Sequence, residues 1–402
     1  MKILMLTPYL PYPPSSGGQI RSYNLIKYLA KDNEITLFSL IKNESEKEHV
    51  KELQKYCKSV KVFNRSSKPW TIGNILKTGF SLYPFVVVRN LSKDQQSALV
   101  EELKNEKYDL IHAETFYVMP HLPETKIPVI LVDQTIEFQV YQHFVEKTDK
   151  WYLKPLLYID VLKIKYWELN FWRKAKKVIA VSEVDKKKMV SLVKGINVAV
   201  VPNGAGEELM GVWKKRKPEK DPIIFFQANF DWMQNIEAAQ NLALKVFPLV
   251  KKKNDKARCW IVGQGAKERV GKLESKDIKI INLENSDING VIDSYRKATV
   301  FAAPLEGPGG TRLKILAAMA AGVPVVSSKV GIEGIDAQDE KEVLIAQNWE
   351  DMAKKIISLI ENKELYHNLV VSARKLVEEK YSYKRIAETL DGIYKEVANA
   401  RM

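Results

Sequence analysis

Short apolar runs recur along the first half of the chain, separated by stretches whose apolar positions fall three and four apart. Residues 2–7 (KILMLT) form one such run and predict a buried strand. The pattern returns at 34–41 (EITLFSLI), 59–63, 109–112, 128–132 and 178–181 (VIAV), with helical spacing at 19–30 (QIRSYNLIKYLA). Strands that alternate with helices predict parallel βαβ units.

A charged, Pro-containing stretch at 214–222 (KKRKPEKDP) interrupts the pattern and is expected to be a linker. Strands then resume at 223–227 (IIFFQ), 258–262 (RCWIV), 278–282 (IKIIN), 299–303 (TVFAA) and 324–327 (PVVS), and residues 383–399 read as one amphipathic helix. The expectation is an α/β protein of two Rossmann-like, doubly wound domains, 1–205 and 206–380. A C-terminal helix, 381–402, is expected to cross back to the first domain. Open α/β sheets bind ligands at the carboxyl ends of their strands. The two domains are therefore expected to face each other across a cleft, with 205–222 and the crossing near 380 as hinges.

A length of 402 residues suits two domains, and 46% hydrophobic residues give each a core. The net charge of +14 attracts phosphates, anionic membranes or nucleic acid. Zinc-finger spacing, a basic heptad arm and an RNA-binding aromatic signature are all missing, which sets nucleic acid aside as a partner. Cys57 and Cys259 lie far apart, which argues against a disulfide framework and for a reducing compartment. The five histidines show no paired metal-ligand spacing. The opening MKILMLTPYL meets Pro8 without a small-residue cleavage site and reads as a strand, not a signal peptide. No uninterrupted run of about 18 apolar residues suggests a membrane span. The expected location is cytoplasmic, with any membrane contact peripheral and at the inner face.

Two loops carry candidate chemistry. Residues 8–18 (PYLPYPPSSGG) set Gly17 and Gly18 before a helix, where free N–H groups and the helix dipole favour an anion, and Arg21 adds a charge in the first turn. The segment 304–331 passes through Gly307, Gly309 and Gly310 and opens a helix with Thr311, Arg312 and Lys314. Glycines, a hydroxyl, cations and a helix N-terminus together make a phosphate cradle. Residues 151–177 mix Trp151, Trp167 and Trp172 with Lys163, Lys165 and Arg173. Such a helix lies on an anionic bilayer, or packs its rings on the core while its lysines stay wet.

The 304–331 segment resembles the donor-site signature of the retaining GT-B-fold glycosyltransferases of family 4. That family shows a Gly-containing loop and then a Leu-Glu-Ala-Met-Ala-x-Gly-x-Pro-Val-Val run. Here residues 316–326 read LAAMAAGVPVV. The opening strand with Gly17 and Gly18, the segments 178–183 (VIAVSE) and 201–204 (VPNG), and 226–235 (FQANFDWMQN) resemble family segments in the same order, over nearly the whole chain. The resemblance implies retaining transfer without a metal or other cofactor. A nucleoside-diphosphate sugar would be held by the C-terminal domain, and a saccharide or lipid-linked acceptor by the N-terminal one. Arg312 and Lys314 would stabilise the leaving diphosphate, where charge develops. The donor contacts carried over are Gly17, Gly18, Asn229, Trp232, Glu306, Gly309, Gly310, Thr311, Arg312, Leu313, Lys314 and the position of Ala317. Glu114, in HAET at 112–115, falls beside the reacting sugar as a catalytic candidate. Arg21, His112, Asp133, Gln134 and Glu137 fall on the acceptor side.

The chain departs from the family at its paired glutamates, eight residues apart, whose places hold Gly309 and Ala317. Branches with a Gly-Thr-Arg-Leu-Lys loop, as at 310–314 here, commonly lack the first. Ala317 cannot accept the ribose hydroxyls. Losing such a charged acceptor costs about 1.5–3 kcal/mol, roughly ten- to a hundredfold in affinity. Glu306 is a candidate stand-in. The usual Arg and Lys of the first donor-domain loop are replaced by Asn229, Asp231, Trp232 and Asn235, leaving Arg312 and Lys314 to take over the diphosphate; Trp232 faces either the nucleotide or the core. Two other readings stay open: a non-catalytic relative that binds nucleotide sugar or partners an active transferase, and a nucleotide-sugar epimerase of the same fold.

Overall fold

The computed structural model describes residues 1–68, 70–284, 287–307 and 313–400. The chain divides into two compact units, Met1–Pro202 with Ala387–Met402, and Asn203–Ile386.

Among the described residues, the first unit holds a seven-stranded sheet in the order β3-β2-β1-β4-β5-β6-β7. The strands are β1 (Lys2–Thr7), β2 (Glu34–Ile41), β3 (Ser59–Asn64), β4 (Leu110–Glu114), β5 (Val129–Asp133), β6 (Lys177–Ala180) and β7 (Val198–Val200). Every pairing is parallel, with Leu4 beside both Thr36 and Ile111. Parallel strands need crossovers, and helices supply them and cover both faces. That coverage is why β1 and β4 are buried almost throughout. The strand order reverses direction between β1 and β4. Such a switch point opens a crevice at the carboxyl ends of the strands, where Thr7, Glu114 and Asp133 end their strands.

The second unit repeats the plan with a six-stranded parallel sheet, β10-β9-β8-β11-β12-β13. Its strands are β8 (Ile223–Gln227), β9 (Arg258–Gly263), β10 (Ile278–Asn282), β11 (Val300–Ala303), β12 (Val325–Ser328) and β13 (Leu344–Ala346). Its switch point lies between β8 and β11, where Gln227 and Ala303 end their strands.

The structure corrects the expected linker. Residues 214–222 lie inside the second unit, and the chain passes between units at Pro202/Asn203 and at Ile386/Ala387. The charged stretch is anchored because Arg216 donates to the carbonyls of Gly322 and Ala298 and, at 2.7 Å, to the Tyr366 hydroxyl. The N–H groups of Lys217 and Glu219 bond to the carbonyls of Arg296 and Lys297. A guanidinium spent on buried carbonyls looks, in sequence, like one spent on solvent. Gly322 ends the Leu313–Ala320 helix at φ 72°, and a Cβ there would run into the Trp213 ring.

Candidate functional site

At the switch point of the first unit, three side chains meet around one carboxylate. Glu114 closes β4 and is 1% exposed. His112 lies two residues back, so both side chains point to the same face of the strand, and His112 Nε2 sits 2.8 Å from Glu114 Oε2. Gln134, just past β5, donates from Nε2 to Glu114 Oε1 at 2.7 Å and reaches the Tyr9 hydroxyl at 3.4 Å. Arg21 Nε lies 3.8 Å from Glu114 Oε1, and its NH1 donates to the Pro202 carbonyl at 2.7 Å. The His112 ring is held at both nitrogens, since Nδ1 is 2.6 Å from the Tyr394 hydroxyl.

Burial acts most strongly on Glu114 and pushes its pKa up. The hydrogen bond and charge of His112, the charge of Arg21 and the Gln134 bond together outweigh burial and hold the carboxyl below its ordinary range. The site therefore keeps a dry, ionised carboxylate. Arg21 is fully buried beside it. Its charge is turned toward Glu114, where the sequence suggested an anion at the helix start.

Thr115 follows Glu114 with φ 71° and ψ 152°, a conformation costly for a β-branched residue. It is buried, and its Oγ1 finds no hydrogen-bond partner among the described residues. Gly17 and Gly18 open the Gly17–Leu29 helix behind the N-cap Ser16. A Cβ on Gly18 would strike the Tyr9 hydroxyl and ring, so this glycine admits the tyrosine that reaches Gln134.

Asp133 and Glu137 are brought near this cluster but are engaged within the fold. Asp133 Oδ1 accepts the Phe116 N–H at 3.0 Å, and Oδ2 accepts Trp172 Nε1 at 2.5 Å. Burial drives its pKa up to about 7, with the Trp172 bond opposing and the Glu137 charge adding to the rise. Glu137 accepts from Thr135 Oγ1 at 3.0 Å and is likewise raised by burial. Glu168 accepts the N–H groups of Glu137 and Phe138, at 2.7 and 3.1 Å, at the start of the Glu137–Lys147 helix. Burial and the charges of Asp133 and Glu137 push it well above the carboxylate range. Tyr9, Tyr394, Thr115 and Glu168 escaped the sequence analysis. Tyr394 arrives from the far end of the chain, where no local pattern marks it.

In the second unit, the helices that follow β8 and β11 are joined by Lys314, whose Nζ donates to Asn235 Oδ1 and lies 5.0 Å over the Phe226 ring. Asn229 shapes the first loop: Nδ2 donates to Gln264 Oε1 at 2.7 Å, Oδ1 accepts from Asp231 N at 2.8 Å, and its carbonyl accepts from Asn235 Nδ2 at 2.6 Å. Trp232 precedes the Met233–Asn241 helix and is 47% exposed, which removes the core alternative. Glu306 is exposed and accepts from Asn241 Nδ2 at 3.2 Å. Leu313 and Ala317 are half-buried one turn apart on the Leu313–Ala320 helix, and Ala317 packs on the core. Gly309, Gly310, Thr311 and Arg312 lie outside the described residues.

Among the described residues, no group of three or more His, Cys, Asp or Glu is placed to hold a metal. No helix there is long and apolar enough to cross a membrane.

Residues 15–208 match a family model described as Glycosyltransferase Family 4, and residues 221–362 match one described as Glycosyl transferases group 1. The two matches together span most of the chain. An uncharacterized 44.6 kDa protein in the cps region of Klebsiella pneumoniae is 24% identical over 409 residues, covering 98% of this chain and 99% of that protein. Among solved structures, sucrose-phosphate synthase from Thermosynechococcus elongatus aligns with a TM-score of 0.73 at 15% identity, over 100% of both chains. HepE of Anabaena, solved in complex with UDP and glucose, gives 0.64 at 14%, over 98% of this chain and 100% of that one. A glycosyltransferase from Rickettsia africae gives 0.63 at 17%, over 98% of both. At these identities the structural likeness is one of fold.

Proposed function

The chain belongs to the GT-B glycosyltransferases, and from that premise we propose that it moves a sugar from a nucleoside-diphosphate donor to a saccharide or lipid-linked acceptor, with retention and without a metal ion. The observation that carries the acceptor half is Glu114, an ionised carboxylate buried at the switch point and oriented by His112, Gln134 and Arg21. Transfer breaks the bond from the anomeric carbon to the diphosphate. Negative charge grows on the leaving group and positive charge on the sugar ring. In this reading Lys314, with Arg312, answers the first. Glu114 answers the second and orients the acceptor hydroxyl. Solved relatives of the same fold hold UDP, as HepE does with glucose, which favours a nucleotide sugar as donor. In the same reading the enzyme works in the cytoplasm and touches the inner face of an anionic membrane peripherally.

One observation favours the non-catalytic alternative. Ala317 stands where the family's ribose-binding glutamate falls, half-buried against the core. The test is calorimetric titration of UDP, GDP and ADP into this chain and into Ala317→Glu. Tight binding of one nucleotide by the chain as it stands supports a working donor site. No binding by either protein sinks it. Product analysis without acceptor then separates transfer from epimerisation.

A further inference from the structure

The Ile72–Phe80 helix is turned inside out. An amphipathic helix ordinarily lays its apolar stripe on the core. Here the buried residue is the polar Asn74, which donates to Ser66 Oγ at 2.8 Å. Ile72, Ile75, Leu76 and Phe80 stand 78%, 51%, 54% and 92% exposed. The next turn adds Leu82 at 82%.

This helix is tied to a second one in the same unit, Lys154–Lys174. Lys163 Nζ donates to the carbonyls of Thr78 and Ser81, at 2.8 and 2.7 Å, and so caps the first helix. Trp167 Nε1 donates to the Leu82 carbonyl at 3.0 Å, and Asp160 accepts the Phe85 N–H at 2.8 Å. The second helix continues the apolar surface through Leu156, Ile159 and Leu162, all more than half exposed, with Trp151 just before it at 77%. A contiguous apolar surface of this kind marks an interaction site.

The charge around it is predominantly positive, with Glu146 and Asp149 exposed just before the second helix. Residues 70–83 contain no acid, and the two acids in 150–176 both turn inward. Asp160 binds the Phe85 N–H, and Glu168 binds the N–H groups of Glu137 and Phe138. Lys77, Lys150, Lys165, Arg173 and Lys174 remain exposed. A second copy of this chain would set these cations against themselves across a two-fold contact. An anionic leaflet answers both features, headgroups for the cations and the acyl boundary for the apolar stripe.

We propose that this surface docks on an anionic bilayer, with the Ile72–Phe80 helix as the inserting element and the flanking cations on lipid phosphates. The proposal deepens the membrane reading above and rests on it for its purpose, the delivery of a lipid-linked acceptor. The Lys154–Lys174 helix connects surface and site. Its outer face carries the apolar residues, while its inner face carries Glu168 and Trp172, the latter bonded to Asp133. A protein seated by this helix holds its acceptor-side residues at a fixed depth over the lipid.

The test is co-sedimentation of the full chain with vesicles of phosphatidylcholine alone and of phosphatidylcholine with phosphatidylglycerol. The comparison variant is Leu76→Ser/Phe80→Ser, whose sites are exposed, with UDP titration as the check on folding. The expected result is binding to the anionic vesicles, weakened by salt, with a blue shift of tryptophan emission and a loss of about tenfold or more in the variant. Equal binding by the variant, or no binding to either vesicle by the parent, overturns the proposal. A parent dimer in light scattering that becomes monomeric in the variant also overturns it and gives the surface to a second copy. Absent vesicle binding by the parent, with intact UDP binding by the parent, sinks the docking surface alone. Intact vesicle binding without UDP binding sinks the transferase reading alone.

Discussion

Glu114 Oε1 lies 3.8 Å from Arg21 Nε, and both side chains are buried out of water. Removing one charge from such a pair leaves the other desolvated, typically at a cost of about 3–5 kcal/mol. His112 and Gln134 share the carboxylate, so Glu114→Gln is expected to fall toward the lower end of that range in urea unfolding. Transfer activity is expected to be lost in the same variant. Near-parent stability would mean that the Glu114 charge is not what balances Arg21.

The same carboxylate has a pH signature. Its folded pKa is depressed, so its stabilising contribution is full above the ordinary carboxylate range, about 4.3, and is lost as pH falls through the lower folded value. Asp133 runs the other way. Its folded pKa of about 7 exceeds an unfolded value near 3.9. Between those values the native state holds a proton that the unfolded state has released, so stability falls as pH rises from about 4 to about 7. Glu137 and Glu168, also raised, act in the same direction. Asp133→Asn is expected to flatten this slope in unfolding free energies measured across the window. An unchanged slope would assign it to Glu137 and Glu168.

The strands were legible because a βαβ core buries both sheet faces and leaves continuous apolar runs, as in KILMLT at Lys2–Thr7. Val198–Val200 and Leu344–Ala346 escaped, since three residues carry no period. His112, Glu114 and Gln134 were legible through the resemblance to family 4, and the structure sets Glu114 and Gln134 at the ends of β4 and β5. Tyr394 was not, because its partner His112 lies 282 residues away and no local pattern encodes that distance. The Ile72–Phe80 helix shows a further limit. Period reveals an apolar stripe, but tertiary structure decides whether the stripe faces the core.

Ala317→Glu asks whether the donor site lacks only one acceptor. Ala317 is half-buried on the helix that carries Lys314, so a longer side chain has a path outward. A restored charged acceptor for the ribose hydroxyls is expected to tighten nucleotide binding by about tenfold or more. Equal affinity in the two proteins would show that Glu306 or another group already serves. Lys314→Ala, read in the same titration, is expected to weaken nucleoside diphosphate more than nucleoside, because the ammonium answers the phosphates.

Gly18 and Tyr9 offer the sharpest test of the acceptor-side network. A Cβ at Gly18 would meet the Tyr9 hydroxyl first and the ring carbons next. Tyr9 must then shift, and its 3.4 Å contact with Gln134 Nε2 is broken. Gln134 is the residue that holds Glu114 Oε1. Gly18→Ala is therefore expected to lower kcat, with Lys314 and Asn235 of the other unit left in place. Tyr9→Phe deletes the same hydroxyl, so the double variant is expected to lose little more than Gly18→Ala alone. The double-mutant cycle should give a coupling of about 0.5–3 kcal/mol, as for residues in contact. Additive effects would mean that Gly18 acts through its backbone, at the helix start, and not through the room it leaves for Tyr9.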